Sequence, residues 1–303
     1  MISDIDIRTL IISVYATMLI LTSCMIVYYY NSKTYEGFKD WTVGCILHTL
    51  GFILIGFRNV LPDFVTIAVA NSMGLFAMVV YYKGFSSYLK KDFCKTVHAS
   101  IIVIYALFII PYYTYITPNV TARIIFASFL TAFYFFLCLK KVYNSELKDE
   151  FKLNKLIITT LALFTILYIT RGVFYLLPEN NVGNYEAAGN FYAINLIFSS
   201  MLSVCFVVGL MLLNSQKLES ERQGLIDSLQ IALAEIKTLS GIVPICSNCK
   251  KIRDDKGLWN FLESYIEKHS EASFSHGMCP ECADEFYGKE SWYIKMKEKQ
   301  GKN

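Results

Sequence analysis

Hydrophobic residues in this chain neither alternate with polar ones, as on a half-buried strand, nor keep to one stripe, as on a surface helix. They fill whole runs: 9–30, 41–57, 65–82, 97–116, 123–143, 156–177 and 191–213. Each run approaches the roughly 20 residues that a helix needs to cross the hydrocarbon core of a bilayer. Inside hydrocarbon a backbone polar group finds no water, and a helix satisfies its N–H and C=O groups within its own segment. The pattern therefore predicts an all-α membrane bundle of seven transmembrane helices over residues 1–213. The run at 41–57 is the shortest of them. The first run is not expected to be a secretory signal. Its start, Met-Ile-Ser-Asp-Ile-Asp, is acidic where a signal is basic, and no small-residue cleavage site follows.

Past Leu213 the pattern changes. Residues 214–240 are rich in Glu, Gln, Lys, Leu and Ala, with Gly224 the one weak helix former. Leu218, Arg222, Leu225, Leu229, Ala232, Ile236 and Leu239 recur at alternating spacings of four and three, which is the seam of a coiled coil. Arg222 weakens the first heptad, so pairing is expected to be tightest toward the C-terminal end. This stretch reads as a cytoplasmic coiled-coil signalling helix that makes the chain a homodimer, helped by the high local concentration that a membrane tether imposes. The alternative is an amphipathic helix packed on the module behind it. Residues 241–303 form that module.

Composition agrees with a membrane body. Of 303 residues, 54% are hydrophobic and 17% charged, whereas a soluble domain carries roughly a quarter charged. The distribution of charge orients the body. Lys33 and Lys39 follow the first run, Lys83, Lys90, Lys91 and Lys95 the third, and Lys140, Lys141, Lys148, Lys152 and Lys155 the fifth. The opposite loops hold little that is basic, and residues 178–188 hold no Lys or Arg. The positive-inside rule then places the N-terminus outside, and an odd number of spans places the C-terminus in the cytoplasm of a cell inner membrane. No Asp or Glu lies inside any run. A transporter is expected to show intramembrane carboxylates, broken helices or repeats.

Polar residues inside the runs are costly unless they find a partner or a route to water. His48, Asn71, Arg171 and Asn195 lie within spans, and Arg58, Arg123 and Arg171 fall at one level, toward the outer ends. The three guanidinium groups either reach separately for the headgroups or together line a pocket for an anionic ligand. His48 reads as a hydrogen-bonded core histidine. Tyr28 to Tyr30, Tyr81 with Tyr82, and Tyr112 with Tyr113 fit interfacial belts. Gly44, Gly51 and Gly56 allow close helix approach, and Pro111 is expected to kink or end the fourth helix.

Cysteine usage is split. Cys24, Cys45, Cys94, Cys138 and Cys205 stand singly in or near apolar runs, where a free thiol behaves as a small hydrophobe. The other four form two Cys-x-x-Cys pairs, Cys246 with Cys249 and Cys279 with Cys282. Four thiolates in two such pairs suit a closed tetrahedral Zn(2+) site. A cytoplasmic location disfavours disulfides. A redox switch or replacement of one ligand by His276 are the alternatives. Trp259, Phe261, Leu262, Tyr265 and Ile266 read as a helical pattern forming a small core against the metal. Basic and acidic residues balance across the module, so no nucleic-acid footprint is expected.

The run Leu239-Ser-Gly-Ile-Val-Pro-Ile-Cys246-Ser-Asn-Cys249-Lys-Lys-Ile-Arg253-Asp-Asp255, continued by Trp259, Glu263-Ser-Tyr-Ile and Phe274-Ser-His-Gly-Met-Cys-Pro-Glu-Cys282, resembles the zinc-ribbon-like tails found behind PAS, GAF or receiver domains in bacterial signalling proteins. Gly51-Phe-Ile-Leu-Ile-Gly-Phe-Arg58, Leu61-Pro62, Ala70-Asn71 and Gly84-Phe85 more loosely resemble the multi-span sensor regions that precede diguanylate cyclases and histidine kinases. Neither a cyclase motif nor kinase nucleotide-binding boxes accompany them, so the resemblance implies a non-enzymatic output. The expectation is a bacterial membrane sensor or signalling adaptor. It relays a membrane or extracytoplasmic cue through a dimeric coiled coil to a zinc module, which contacts an unidentified cytoplasmic signalling protein. The competing reading is a transporter or membrane enzyme with a zinc-binding regulatory tail.

Overall fold

The computed structural model describes residues 7–58, 60–144, 154–182, 189–237, 244–254, 256–270 and 272–300. They form two compact units, Met1–Arg222 and Gln223–Asn303. In the first, α1 spans Ile7–Asn31 and α2 Phe38–Gly56; a π-helical turn, Phe64–Val69, opens α3, Ala70–Tyr88. α4 (Lys95–Ile104) continues through wide turns at Tyr105–Ile109 and Tyr112–Ile116. α5 is Val120–Tyr143, α6 Asn154–Leu176 and α7 Gly189–Lys237. Seven helices among the described residues are long and apolar enough to cross a membrane, which marks a multi-pass membrane protein. Helix α2, the doubtful one by length, is among them. Pro111 does not end the fourth span. It keeps helical angles, and the wide turns on either side absorb the loss of its N–H.

The core of this unit lies between α2, α3, α5, α6 and α7. Phe38, Trp41 and Phe85 are fully buried, with Trp41 5.0 Å from Phe85 and 5.2 Å from Tyr88 between ring centres. Phe135 stacks on Phe164 at 4.4 Å, and Phe206 meets both edge-on. Glycines set how near α2 comes to α3: a Cβ at Gly44 would lie 2.6 Å from the Tyr81 ring, and one at Gly51 3.1 Å from the Ala70 carbonyl. Gly37 opens α2 at φ 92°, a left-handed conformation that favours glycine.

The lysine-rich connectors meet at one end of the unit. Lys83 pairs with Asp40 at 2.7 Å, Lys91 donates to the Asn144 carbonyl at 2.8 Å, and Lys141 donates to the Asp92 carbonyl at 2.6 Å. Helix α7 leaves at this same end. Asn214 is 0% exposed there. Its Oδ1 accepts from the Tyr35 N–H at 3.1 Å, and its Nδ2 donates to the Lys33 carbonyl at 2.9 Å and to the Tyr28 hydroxyl at 3.3 Å. Tyr88 donates to the Leu213 carbonyl at 2.9 Å. Lys217 sits over the rings of Tyr35 and Tyr88, and Lys33 pairs with Glu221 at 3.1 Å. The membrane unit therefore keeps two further turns of α7, which composition alone assigns to the connector from residue 214 onward.

In the second unit a two-stranded antiparallel hairpin, β1 (Ile252–Arg253) with β2 (Trp259–Asn260), precedes α8 (Leu262–His269), α9 (Pro280–Tyr287) and α10 (Ser291–Gln300). Trp259 thus lies on a strand and Phe261 outside the helix, so the expected helical core from Trp259 onward is not formed. The reason is local. Asp254 accepts hydrogen bonds from the N–H groups of Lys256 and Leu258 and from Asn260, and this turn pulls Trp259 into extended backbone. Ile252 and Tyr293, 2% and 6% exposed, are the buried hydrophobic residues described in this unit.

Replacing Asn214 by Leu, close to it in volume, leaves the Tyr35 N–H and the Lys33 carbonyl without their partner. The expected loss is about 1–3 kcal/mol for each buried group stranded. Unfolding of the full chain in mixed detergent micelles should register it as a clear drop in midpoint, and an unchanged midpoint would show that Asn214 does not hold α7.

Candidate functional site

A cavity of about 140 Å³ opens within the helix bundle. Helix α2 and the turn behind it supply His48, Phe52 and Arg58, α3 supplies Asn71, α6 supplies Tyr168 and Arg171, and α7 supplies Tyr192 and Ser199. Four of the six polar residues singled out in the spans therefore come together. The other two do not. Asn195 is buried on α7 outside the lining, and Arg123 is 5% exposed, donating to the Thr114 hydroxyl at 3.4 Å. Burial removes the option of Arg123 reaching out to headgroups.

Arg171 lies between helices α6 and α7 beside two tyrosine rings. Its guanidinium carbon lies 5.5 Å from the centre of the Tyr192 ring and 5.9 Å from that of Tyr168, both within cation–π range. Among the described residues it makes no ion pair, and its buried Nε has no hydrogen-bond partner. Tyr168 precedes Arg171 by one helical turn, so sequence spacing alone places both on one face. Nothing local in the sequence points to Tyr192 as the second ring. Asn71 donates to the Ile67 carbonyl at 2.7 Å, in the π-helical turn where backbone pairing is shifted. His48 packs against Phe52 at 4.9 Å and Tyr81 at 6.4 Å. It makes no hydrogen bond among the described residues, unlike the satisfied core histidine expected from sequence.

A smaller cavity of about 30 Å³ continues inward, sharing His48, Phe52, Met78, Tyr168 and Ser199 with the first. Its further walls include Leu21, Phe135, Phe164 and Phe206. The combined space runs from a guanidinium end to an apolar end.

The cysteine pairs occupy different elements of the second unit. All nine cysteines are free thiols. Cys246 and Cys249 form a knuckle in which the Cys246 N–H donates to the Lys251 carbonyl at 2.9 Å and Lys250 takes φ 61°. The backbone N–H groups of Cys249 and Asn248 turn toward the Cys246 sulfur and, with the Cys249 thiol and the Lys250 charge, hold its ionisation below the usual thiol range. Cys279 occupies the N-cap position of α9 and Cys282 lies in the first turn of that helix. Among the described residues no three His, Cys, Asp or Glu side chains gather as metal ligands, so the structure brings Cys246 to Cys249 but not all four thiols to one point. Along the connector, Leu225 and Leu229 are 61% and 54% exposed and Leu218 is half-buried. Ile231 and Leu233, off the seam, are equally exposed. The Ile236 side chain and all of Leu239 lie outside the described residues.

Three hydrogen bonds from Lys256, Leu258 and Asn260 hold Asp254 below the ordinary carboxylate range, the Leu258 N–H contributing most. A depressed pKa means that the carboxylate supports the hairpin at pH values above about 3.9, the unfolded value, and loses that role as pH falls through its lower folded value. Amide shifts of Lys256 and Leu258 should stay constant down to pH 5 and change below pH 4. Asp254→Ala should abolish their slow exchange at neutral pH, and amides untouched by either change would remove Asp254 as the organiser of the turn. Compared with known protein families, with curated proteins and with solved structures, the chain matches none of them.

Proposed function

We propose that the chain is a sensor or signalling adaptor of a bacterial cytoplasmic membrane, with its N-terminus outside and its C-terminus in the cytoplasm. One observation carries this reading: a single helix, α7, lines the cavity with Tyr192 and Ser199, is hydrogen-bonded at the lysine-rich end through Asn214, and leads into the connector. A change at the cavity wall acts on the element that leaves the membrane. In energetic terms, an occupant shifts α7 between two arrangements by as much as its affinity differs between them. The lysines clustered where α7 leaves support a cytoplasmic exit.

Beyond the membrane, the connector pairs two copies through Leu218, Leu225, Leu229, Ile236 and Leu239, and the cysteine module is the output surface for a cytoplasmic partner. Zn(2+) held by Cys246, Cys249, Cys279 and Cys282 organises that module. The knuckle turns N–H groups toward the Cys246 sulfur, and the second pair stands two residues apart at the start of α9, a spacing that suits a tetrahedral thiolate site. The metal closes the module by drawing the two pairs together, so binding and folding are one process.

A photo-activated cross-linker at Leu229 should capture a dimer of the full chain in native membranes, and capture should change when the cavity residue Tyr192 is replaced by Ala. Monomer under every condition would remove the relay. The purified full chain should hold one zinc per copy, falling at least tenfold in occupancy with Cys279→Ser. A chain without zinc, or one indifferent to that substitution, would overturn the metal assignment.

A further inference from the structure

We infer that the bundle cavity is a binding site for a small aromatic monocarboxylate. The assignment deepens the sensor reading and rests on it for its consequence, since it names what occupies the site that α7 reports. Three features select this class. The first is charge. Arg171 lines the cavity with no ion pair among the described residues, and no Asp or Glu is among the lining residues described. A half-buried guanidinium in apolar surroundings is costly until an anion meets it. Arg58 lines the same cavity, and the Arg171 guanidinium by itself calls for one negative charge.

The second feature is geometry. The Tyr168 and Tyr192 rings both lie within cation–π range of the Arg171 guanidinium. A planar guanidinium fork matches a carboxylate, which accepts two parallel N–H bonds, better than it matches a compact halide. The third feature is shape. A volume of about 140 Å³ holds on the order of ten water-sized bodies, which excludes a whole phospholipid and suits a ring with one acid group. His48, Phe52 and Tyr105 line the space with aromatic surface, and the inner extension is walled by Phe135, Phe164 and Phe206. Planar rings pack edge-to-face or offset against such walls.

Benzoate is the probe, with neutral benzamide as its near-isostere and cationic benzamidine as the charge-reversed control. Equilibrium dialysis of the full chain in lipid nanodiscs, corrected with empty nanodiscs, reads binding directly. Benzoate should bind saturably, at least tenfold tighter than benzamide, and benzamidine should not bind. Arg171→Gln should weaken benzoate at least tenfold while leaving benzamide unchanged, and Arg171→Lys should fall between, because a lysine keeps the charge without the fork. Benzamide binding as tightly as benzoate to the unsubstituted chain would overturn the assignment even if neither variant folds, as would absence of saturable benzoate binding. The sensor reading fails separately. Benzoate that binds at Arg171 without altering the Leu229 cross-link leaves the site standing and removes its link to the connector. A cross-link that responds to another cue, in a chain that ignores benzoate, leaves the relay and removes this ligand.

Discussion

The hydrogen bonds of Asn214 are the constraint on which the membrane unit depends. A side-chain amide fully removed from water must place its donors and acceptor, or the helix bearing it cannot stay where it is. Asn214 satisfies the requirement by capturing the Tyr35 N–H and the Lys33 carbonyl, groups of the α1–α2 connector that have no helix to serve them. One residue thus ties α7 to α1 and α2. The Tyr88 hydroxyl adds α3 to the knot through the Leu213 carbonyl, and Lys217 lies across Tyr35 and Tyr88. Apolar packing alone between lipid-bathed helices fixes neither rotation nor register, because lipid tails are as apolar as the side chains. Directional bonds at the exit of α7 supply what packing leaves open.

The other end of the problem is charge. A bundle whose apolar runs contain no Asp or Glu has little with which to neutralise a guanidinium at their level. Arg123 accordingly sinks into the protein beside Thr114, while Arg171 meets aromatic faces and no counter-ion among the described residues. Cation–π contacts are weaker than a buried ion pair but cost less in desolvation. That choice leaves Arg171 on the cavity lining without the carboxylate that an Asp or Glu at the same place would have supplied. The site follows from what the spans leave out as much as from what they contain.

The seven spans were legible in sequence because hydrocarbon imposes one solution on the backbone, and length with hydropathy then identifies it. Helix ends shifted by a few residues, and α2 proved helical from Phe38 despite its polar start. The polar residues inside the spans were equally visible, since each stands out against an apolar background. Which of them share a cavity was not, because that depends on helix rotation: of Arg58, Arg123 and Arg171, read at one level, Arg58 and Arg171 line the cavity and Arg123 does not. The burial of Asn214 was hidden for a related reason. The residues that follow it are polar in sequence, and its burial comes from the α1–α2 connector, far away along the chain. Trp259 fits a helical period with Leu262 and Ile266, but the side-chain bonds of Asp254 outweigh that weak local preference.

The second unit shows why a chain would place cysteines on two unlike elements. Its described hydrophobic residues are mostly exposed, with Ile252 and Tyr293 the buried exceptions, so apolar burial gives the hairpin and the three short helices little reason to stay together. Each cysteine pair is nevertheless locally prepared, the first by inward N–H groups of a knuckle and the second by a helix start. Local preparation without a shared core is the arrangement in which an added cross-link matters most, because it joins parts that are already shaped but weakly held. In the proposed reading zinc is that cross-link. In the same reading the exposed Trp259, Phe261, Phe286 and Trp292 count as surface rather than core, the apolar area left for the proposed partner.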